Sequence, residues 1–199
     1  MIQSFKGMVP VVDPSAFIHP QAVIIGHVTI GPKCFIGAGA VLRGDWGRIE
    51  LGKGCNVQEN CVVHMFPRTT VRLEDGAHVG HGAVIHGAHL GEQCMIGMNS
   101  VIMDDVHIGA GCIVGALSFV KAGSHWEDRR IIAGNPAREI GEVSEEMYQH
   151  KIEGTGLYQE LPADCRETLK PSSPLTSLPE NRFEDFPEFE TWQARRERD

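Results

Sequence analysis

Aliphatic residues recur every six positions along most of this chain, and that period constrains the fold more than any other feature. They stand at Ile18, Ile24, Ile30, Ile36 and Leu42, then at Leu51, Val57 and Val63, then at Val79 and Ile85. After one step of five they continue through Leu90, Ile96, Ile102, Ile108, Val114 and Val120. A helix repeats near 3.6 residues and a half-buried strand near 2, so neither explains a six. Short strands joined by tight corners do: the aliphatic of each hexad points inward, and glycine occupies corners where a side chain would clash. Ile30-Gly31, Ile36-Gly37, Val79-Gly80, Leu90-Gly91 and Ile96-Gly97 follow that rule, in a chain with 23 glycines and only 7% aromatics.

Three hexads make one triangular coil of about 18 residues, and coils stack at the ~4.8 Å spacing of parallel strands. The expected fold is an all-β solenoid over residues 8–140. Two interruptions matter, because insertions in solenoids map to surface loops that often frame a site. Between Val63 and Leu73 the step is ten, which places an outward loop at Met65 to Thr70; a similar slip falls near Gly44 to Arg48. The frame ends near Ile131, and Gly134-Asn135-Pro136-Ala137-Arg138 is the exit turn. Ser144-Glu145-Glu146 then reads as a helix start. Residues 141–170 are expected to be helical, as two helices over 144–153 and 156–169 parted by Gly154-Thr155-Gly156. The final segment, 171–199, carries Pro171, Pro174, Pro179 and Pro187 amid charges and reads as extended or partly disordered. Phe183, Phe186, Phe189 and Trp192 leave a docking role open to it, and a short helix from Glu184 to Arg198 is the milder reading.

Charge and composition exclude several functions. Lys and Arg number 18 against 26 Asp and Glu, a net charge of −8, with no basic run, so no nucleic acid and no membrane surface is expected as a partner. No apolar stretch approaches the ~18 residues of a membrane span, and the opening residues lack the order of a signal peptide, which makes the cytoplasm the expected location. Six cysteines (Cys34, Cys55, Cys61, Cys94, Cys112, Cys165) lack a CxxC pair and read as buried apolar groups without disulfides.

Three of the ten histidines fall in register. His64 and His86 each follow an inward aliphatic by one place, and their separation of 22 is one coil plus the four-residue insertion. They therefore stack on adjacent coils about 5 Å apart, close enough to share a zinc ion. His81 lies two places after Val79, on a different face, and cannot easily join them within one chain. In a homotrimer of parallel prisms one subunit's His81 would meet its neighbour's His64 and His86, putting metal sites between subunits with one position open for water.

Arg43-Gly44-Asp45, Asn56-Val57-Gln58, His64 and Gly80-His81-Gly82-Ala83-Val84-Ile85-His86-Gly87 resemble the signature of the γ-class carbonic anhydrase family. That family belongs to the hexapeptide-repeat proteins, whose β-helix is left-handed. The resemblance implies a Zn2+ site at His64, His81 and His86, with Fe2+ or Co2+ as alternatives. It also implies an intersubunit ion pair at Arg43 and Asp45, and a water-orienting Gln58 with Asn56 behind it. Where family members that hydrate CO2 carry glutamate proton shuttles, this chain has Trp46 and Pro67, and Glu59 stands where aspartate is more usual.

Further stretches, among them Phe5 to Val12, Gly97 to Asp104 and Ser118 to Ala122, resemble the PaaY/CaiE-like branch of phenylacetate-degradation and carnitine-operon proteins. That branch implies hydrolysis of acyl-CoA thioesters. Trp46, Phe66 and Met98 are the candidate walls of an acyl pocket, and Tyr158 is a further wall grouped with Gln58 and Asn56 as a candidate for the chemistry. The leading expectation is a zinc-dependent acyl-CoA thioesterase. The alternatives are a carbonic anhydrase acting on CO2 or bicarbonate, a hexapeptide acyltransferase, and a non-catalytic trimeric metal-binding accessory protein. Cys61 and Cys94 are the thiols to watch as a fourth metal ligand.

Overall fold

In the computed structural model, which describes residues 1–182 and 186–197, the hexads form a three-walled parallel solenoid. Most strands are two or three residues long, too short to persist alone. Each is held by its counterparts one coil above and below, and by the aliphatic it sends inward. Ile24, Ile30, Ile36, Leu42, Val63, Ile85, Ile96 and Ile108 are all buried in one continuous core.

The first wall stacks residues 23–25, 41–43, Val62–His64, Val84–His86, Val101–Ile102 and Phe119–Val120. The second stacks residues 28–30, 49–51, Thr70–Leu73, His89–Leu90, His107–Ile108 and His125–Trp126. Because strands Val23–Ile30 and Val41–Leu51 run around the corner between them, these walls make one sheet, of 12 strands among the described residues. The third wall runs from Phe17–Ile18 through Phe35–Ile36, Asn56–Val57, His78–Val79, Met95–Ile96 and Ile113–Val114 to Arg130–Gly134. Strand Ala137–Glu142 folds back antiparallel on the last of these and closes that end. At the other end Ile2–Gln3 pairs parallel with Ile24 and Ile25, ahead of the expected start at residue 8.

The cysteines lie where the sequence puts them. All six are free and five are buried; the thiols of Cys34, Cys55, Cys61 and Cys112 turn to backbone carbonyls of the next coil, as Cys61 Sγ donates to Gly80 O at 3.1 Å. Burial pushes Cys61 up to about 11 and Cys94 up to about 12, so both stay protonated in the core.

The C-terminal segment departs from expectation. A single helix, α1, spans Glu145–Thr168 and passes through Gly154, Thr155, Gly156 and Pro162 without a break. Ser144 caps it, accepting from Met147 N at 3.1 Å. Two glycines inside a helix cost roughly 1 kcal/mol each, and docking against the solenoid outweighs that. Arg129 meets Glu145 at 3.2 Å, Lys151 Nζ donates to Gly76 O and Gln93 Oε1 at 2.9 Å, and Gln159 Nε2 donates to Gly54 O at 3.2 Å. Arg166 Nη1 reaches Ser15 O at 2.8 Å. The helix thus lies along the prism, touching coils from one end to the other.

The following residues carry no further helix or strand, among those described, until α2 at Trp192–Arg196. They do dock: Phe189 and Trp192 pack on His150 with ring centroids 4.7 and 5.5 Å away, and Arg195 pairs with Glu153 at 2.9 Å. Phe186 is exposed, and Phe183 lies outside the described residues. The helix expected from Glu184 to Arg198 is shorter than that, with residues 184, 185 and 198 also outside them. No helix of the described residues is long and apolar enough to cross a membrane.

Burial holds the Lys151 ammonium down to about 8, against 10.5 when unfolded. Between those values the unfolded chain binds the extra proton, so this group adds stability as pH rises. Chemical denaturation should show wild type gaining up to roughly 3 kcal/mol on Lys151→Met between pH 8 and 10.5.

Candidate metal centre

On the first wall, His86 pairs in register with His64. His64 Nδ1 stands 3.3 Å from His86 Nε2. The other nitrogen of each ring is held by a carboxylate: His64 Nε2 meets Asp45 Oδ1 at 3.0 Å, and His86 Nδ1 meets Asp104 Oδ1 at 2.7 Å. Carboxylates only accept when ionised, so these contacts put the ring protons on the outer nitrogens. Two lone pairs are then left facing each other, an arrangement that calls for a cation. Two nitrogens at 2.0–2.1 Å from one tetrahedral zinc would lie about 3.3–3.4 Å apart, which matches the spacing found.

Local structure explains how the cluster forms. Gly87, at φ 59°, follows His86, and a Cβ there would sit 2.5 Å from Asp104 Oδ1, so glycine leaves the space the carboxylate needs. The two interruptions of the repeat pack together beside the histidines, with Arg68 N donating to Trp46 O at 2.9 Å and Arg48 N to Thr69 O at 3.1 Å. They carry Trp46, whose ring lies 5.4 Å from His64, and Phe66, 5.0 Å from His86; both rings are about half exposed. Arg43 Nη1 donates to Asp45 Oδ2 within the same chain, so the pair expected between subunits already forms inside one. Burial works against ionisation of Asp45, but the bonds from His64 and Arg43 outweigh it and hold the carboxyl below its ordinary range.

A second cluster lies on the third wall. Gln58 Nε2 donates to Asn56 Oδ1 at 2.9 Å and lies 2.7 Å from His78 Nε2. Burial, with Lys151 and His81 nearby, pushes His78 down to about 3. Its neutral ring accepts from the amide, which puts its proton on Nδ1. Tyr158, from α1, sets its ring edge-on to His78 at 5.1 Å. His81 Nδ1 is held by Glu59 Oε2 at 2.7 Å, with about half its side chain exposed. Met98, also exposed, borders the same groove.

The candidate residues therefore divide. Asp45, Trp46, His64, Phe66 and His86 come together on one wall; Asn56, Gln58, His81, Met98 and Tyr158 come together on another. Within one chain the described residues form no group of three or more His, Cys, Asp or Glu able to hold a metal. Cys61 and Cys94 are fully buried in the core. Asp104 and His78 carry roles that sequence reasoning missed, and spacing held the clue: Asp104 follows His86 by 18 residues, one coil.

Known proteins share this architecture. The family model for bacterial transferase hexapeptide (six repeats) matches residues 10–44 and 87–122. Carnitine operon protein CaiE from Shigella dysenteriae is 44% identical over 179 residues, covering 90% of this chain and 91% of its own. The chain belongs to the hexapeptide-repeat family. Its solenoid is accordingly that family's left-handed parallel β-helix. Among solved hexapeptide-repeat structures, a transferase family protein from Anaplasma phagocytophilum superposes with TM-score 0.78 at 33% identity, covering 81% of this chain and 96% of that one. A Bacillus cereus protein described as an acetyltransferase gives TM-score 0.82 at 32% identity, covering 85% and 98%. The stretch between the two hexapeptide matches, residues 45–86, holds Gln58, His64, His81 and His86.

If the His64–His86 pair takes up zinc with Asp104 holding His86 from behind, Asp104→Asn should weaken that binding about 10–100-fold while leaving the coil register intact, read by competition with a metal indicator and by circular dichroism.

Proposed function

We propose that this protein is a metal-dependent hydrolase of acyl-CoA thioesters, as its resemblance to the γ-class carbonic anhydrases and their phenylacetate-degradation branch implies. Its sites form between copies of the chain in a homotrimer. The observation that carries the reading is the opposed nitrogen pair of His64 and His86, each ring anchored from behind by a carboxylate, with His81 anchored in the same manner by Glu59 on another wall. Three neutral imidazoles are a donor set suited to zinc, and also to iron or cobalt. His64 and His86 of one chain and His81 of a second would hold the ion. Bound there, it supplies a Lewis acid that makes hydroxide available near neutral pH and polarises a carbonyl.

The chain's own residues account for the rest. Gln58 Nε2 is engaged by Asn56 and His78, so its Oε1 is the atom left to accept from the attacking water. Water adds to the thioester carbonyl, the C–S bond breaks, and the products are a carboxylic acid and the CoA thiol. Trp46 and Phe66 shield the His64–His86 pair from bulk solvent. An indole where a proton-shuttling carboxylate would serve CO2 hydration favours a substrate whose turnover needs less rapid proton export.

Coexpression tests both the ligands and their division between chains. Chains with His81→Ala, or with both His64→Ala and His86→Ala, should each lose zinc and phenylacetyl-CoA hydrolysis when purified alone. Mixed oligomers of the two should regain both, because some interfaces then pair an intact His81 with intact His64 and His86. Hydrolysis that survives metal removal would overturn the mechanism. Transfer of the acyl group to an acceptor without hydrolysis would instead support the acyltransferase reading that the relatives' names suggest.

A further inference from the structure

The two interruptions of the repeat carry two arginines, Arg48 and Arg68, that line one cavity of about 330 Å³ together with Met8, His27, Asp45 and Trp46. Both are exposed, so a solute can reach them. Arg43, Arg72, Arg129, Arg130 and Arg195 each meet a carboxylate, as expected in a chain of net charge −8. Arg48 and Arg68 do not: among the described residues neither side chain has a hydrogen bond or an ion pair. Asp45 is the carboxylate at hand, but its Oδ1 is taken by His64 and its Oδ2 by Arg43. Two cations on one cavity repel each other until an anion joins them, and each guanidinium fork presents donors that fit an oxyanion.

The backbone under both arginines is fixed. Arg68 N donates to Trp46 O at 2.9 Å, and Arg48 N to Thr69 O at 3.1 Å. The cavity also adjoins the histidine pair, because Asp45 and Trp46 belong to both: Asp45 Oδ1 lies 3.0 Å from His64 Nε2, and the Trp46 ring 5.4 Å from that of His64.

We propose that Arg48 and Arg68 form a subsite for an oxyanion of the substrate, a carboxylate or a phosphate. Its place in thioester hydrolysis rests on the hydrolase reading; binding of the anion itself does not. The anion has two sources, an acyl group that ends in a carboxylate and the phosphates of CoA. Closeness to His64 favours the acyl carboxylate, since the pantetheine arm carries the phosphates away from the reacting carbonyl.

Calorimetry of the full-length protein with glutarate at constant ionic strength tests the binding. One saturable site per chain is expected, weakened at least tenfold by Arg48→Gln with Arg68→Gln; Arg68→Gln alone keeps the test decisive if the double variant misfolds. Kinetics then separate the sources. Wild type should prefer glutaryl-CoA to the uncharged isostere 5-methylhexanoyl-CoA about tenfold in kcat/KM, the margin of one charge-assisted hydrogen bond, and the double variant should lose that preference. A loss equal for both CoA thioesters, and absent for their pantetheine analogues, would keep the subsite and make the CoA phosphates its source. Absence of saturable glutarate and pyrophosphate binding, or binding indifferent to the substitutions, would overturn the proposal. So would a double variant that only loses its oligomeric state, which would assign the arginines to carboxylates of a second copy. Anion binding without hydrolysis would sink the hydrolase reading alone, and hydrolysis without anion binding would sink this subsite alone.

Discussion

Registered stacking of parallel coils is the constraint from which the rest of this structure follows. Strands of two residues have no stability of their own, and each exists because its neighbours one coil away complete its hydrogen bonds. Once the inward aliphatics are aligned, every other position is aligned as well, and like residues form columns up the outside of the prism. His64 and His86 share such a column. So do His89, His107 and His125 on the second wall, where the rings of His107 and His125 stack at 4.6 Å. Register alone therefore does not make a site. What separates the first column is its surroundings: two carboxylates take the outer nitrogens, and two loops set aromatic rings against the inner pair.

The period of six made the solenoid legible from residues alone, because each inward aliphatic repeats in the same environment. The stacking of His64 on His86 was legible for the same reason, once the four-residue insertion was counted. Placing His81 on another wall needed only the frame. Other features were not local. The unity of α1 depends on contacts such as Lys151 to Gly76 and Arg166 to Ser15, far apart in sequence, which override the glycine pair that signals a break. The same docking assigns Tyr158 to the third wall, among Gln58 and His78, away from Trp46 and Phe66. A chain-local reading has no means of choosing between walls for a residue on a separate helix.

The most chemically varied residues sit where the repeat is least regular. The hexapeptide matches fall on either side of residues 45–86, and within that stretch lie both loops but for Gly44, two buried amides and three carboxylate-anchored histidines. Regular hexads supply rigidity, since their inward aliphatics pack alike from coil to coil. Departures from the hexad supply unlike groups at controlled heights along a stiff prism.

A stack whose layers touch only their nearest neighbours should in principle peel from its ends, one coil at a time. The long helix changes that. It contacts coils near Ser15, Gly54, Gly76 and Arg129, binding layers that otherwise have no contact with each other. An end coil cannot leave without loosening a helix anchored at the opposite end. The molecule is thus equipped to melt as one cooperative unit, and fraying at either end is resisted by the whole length of the prism.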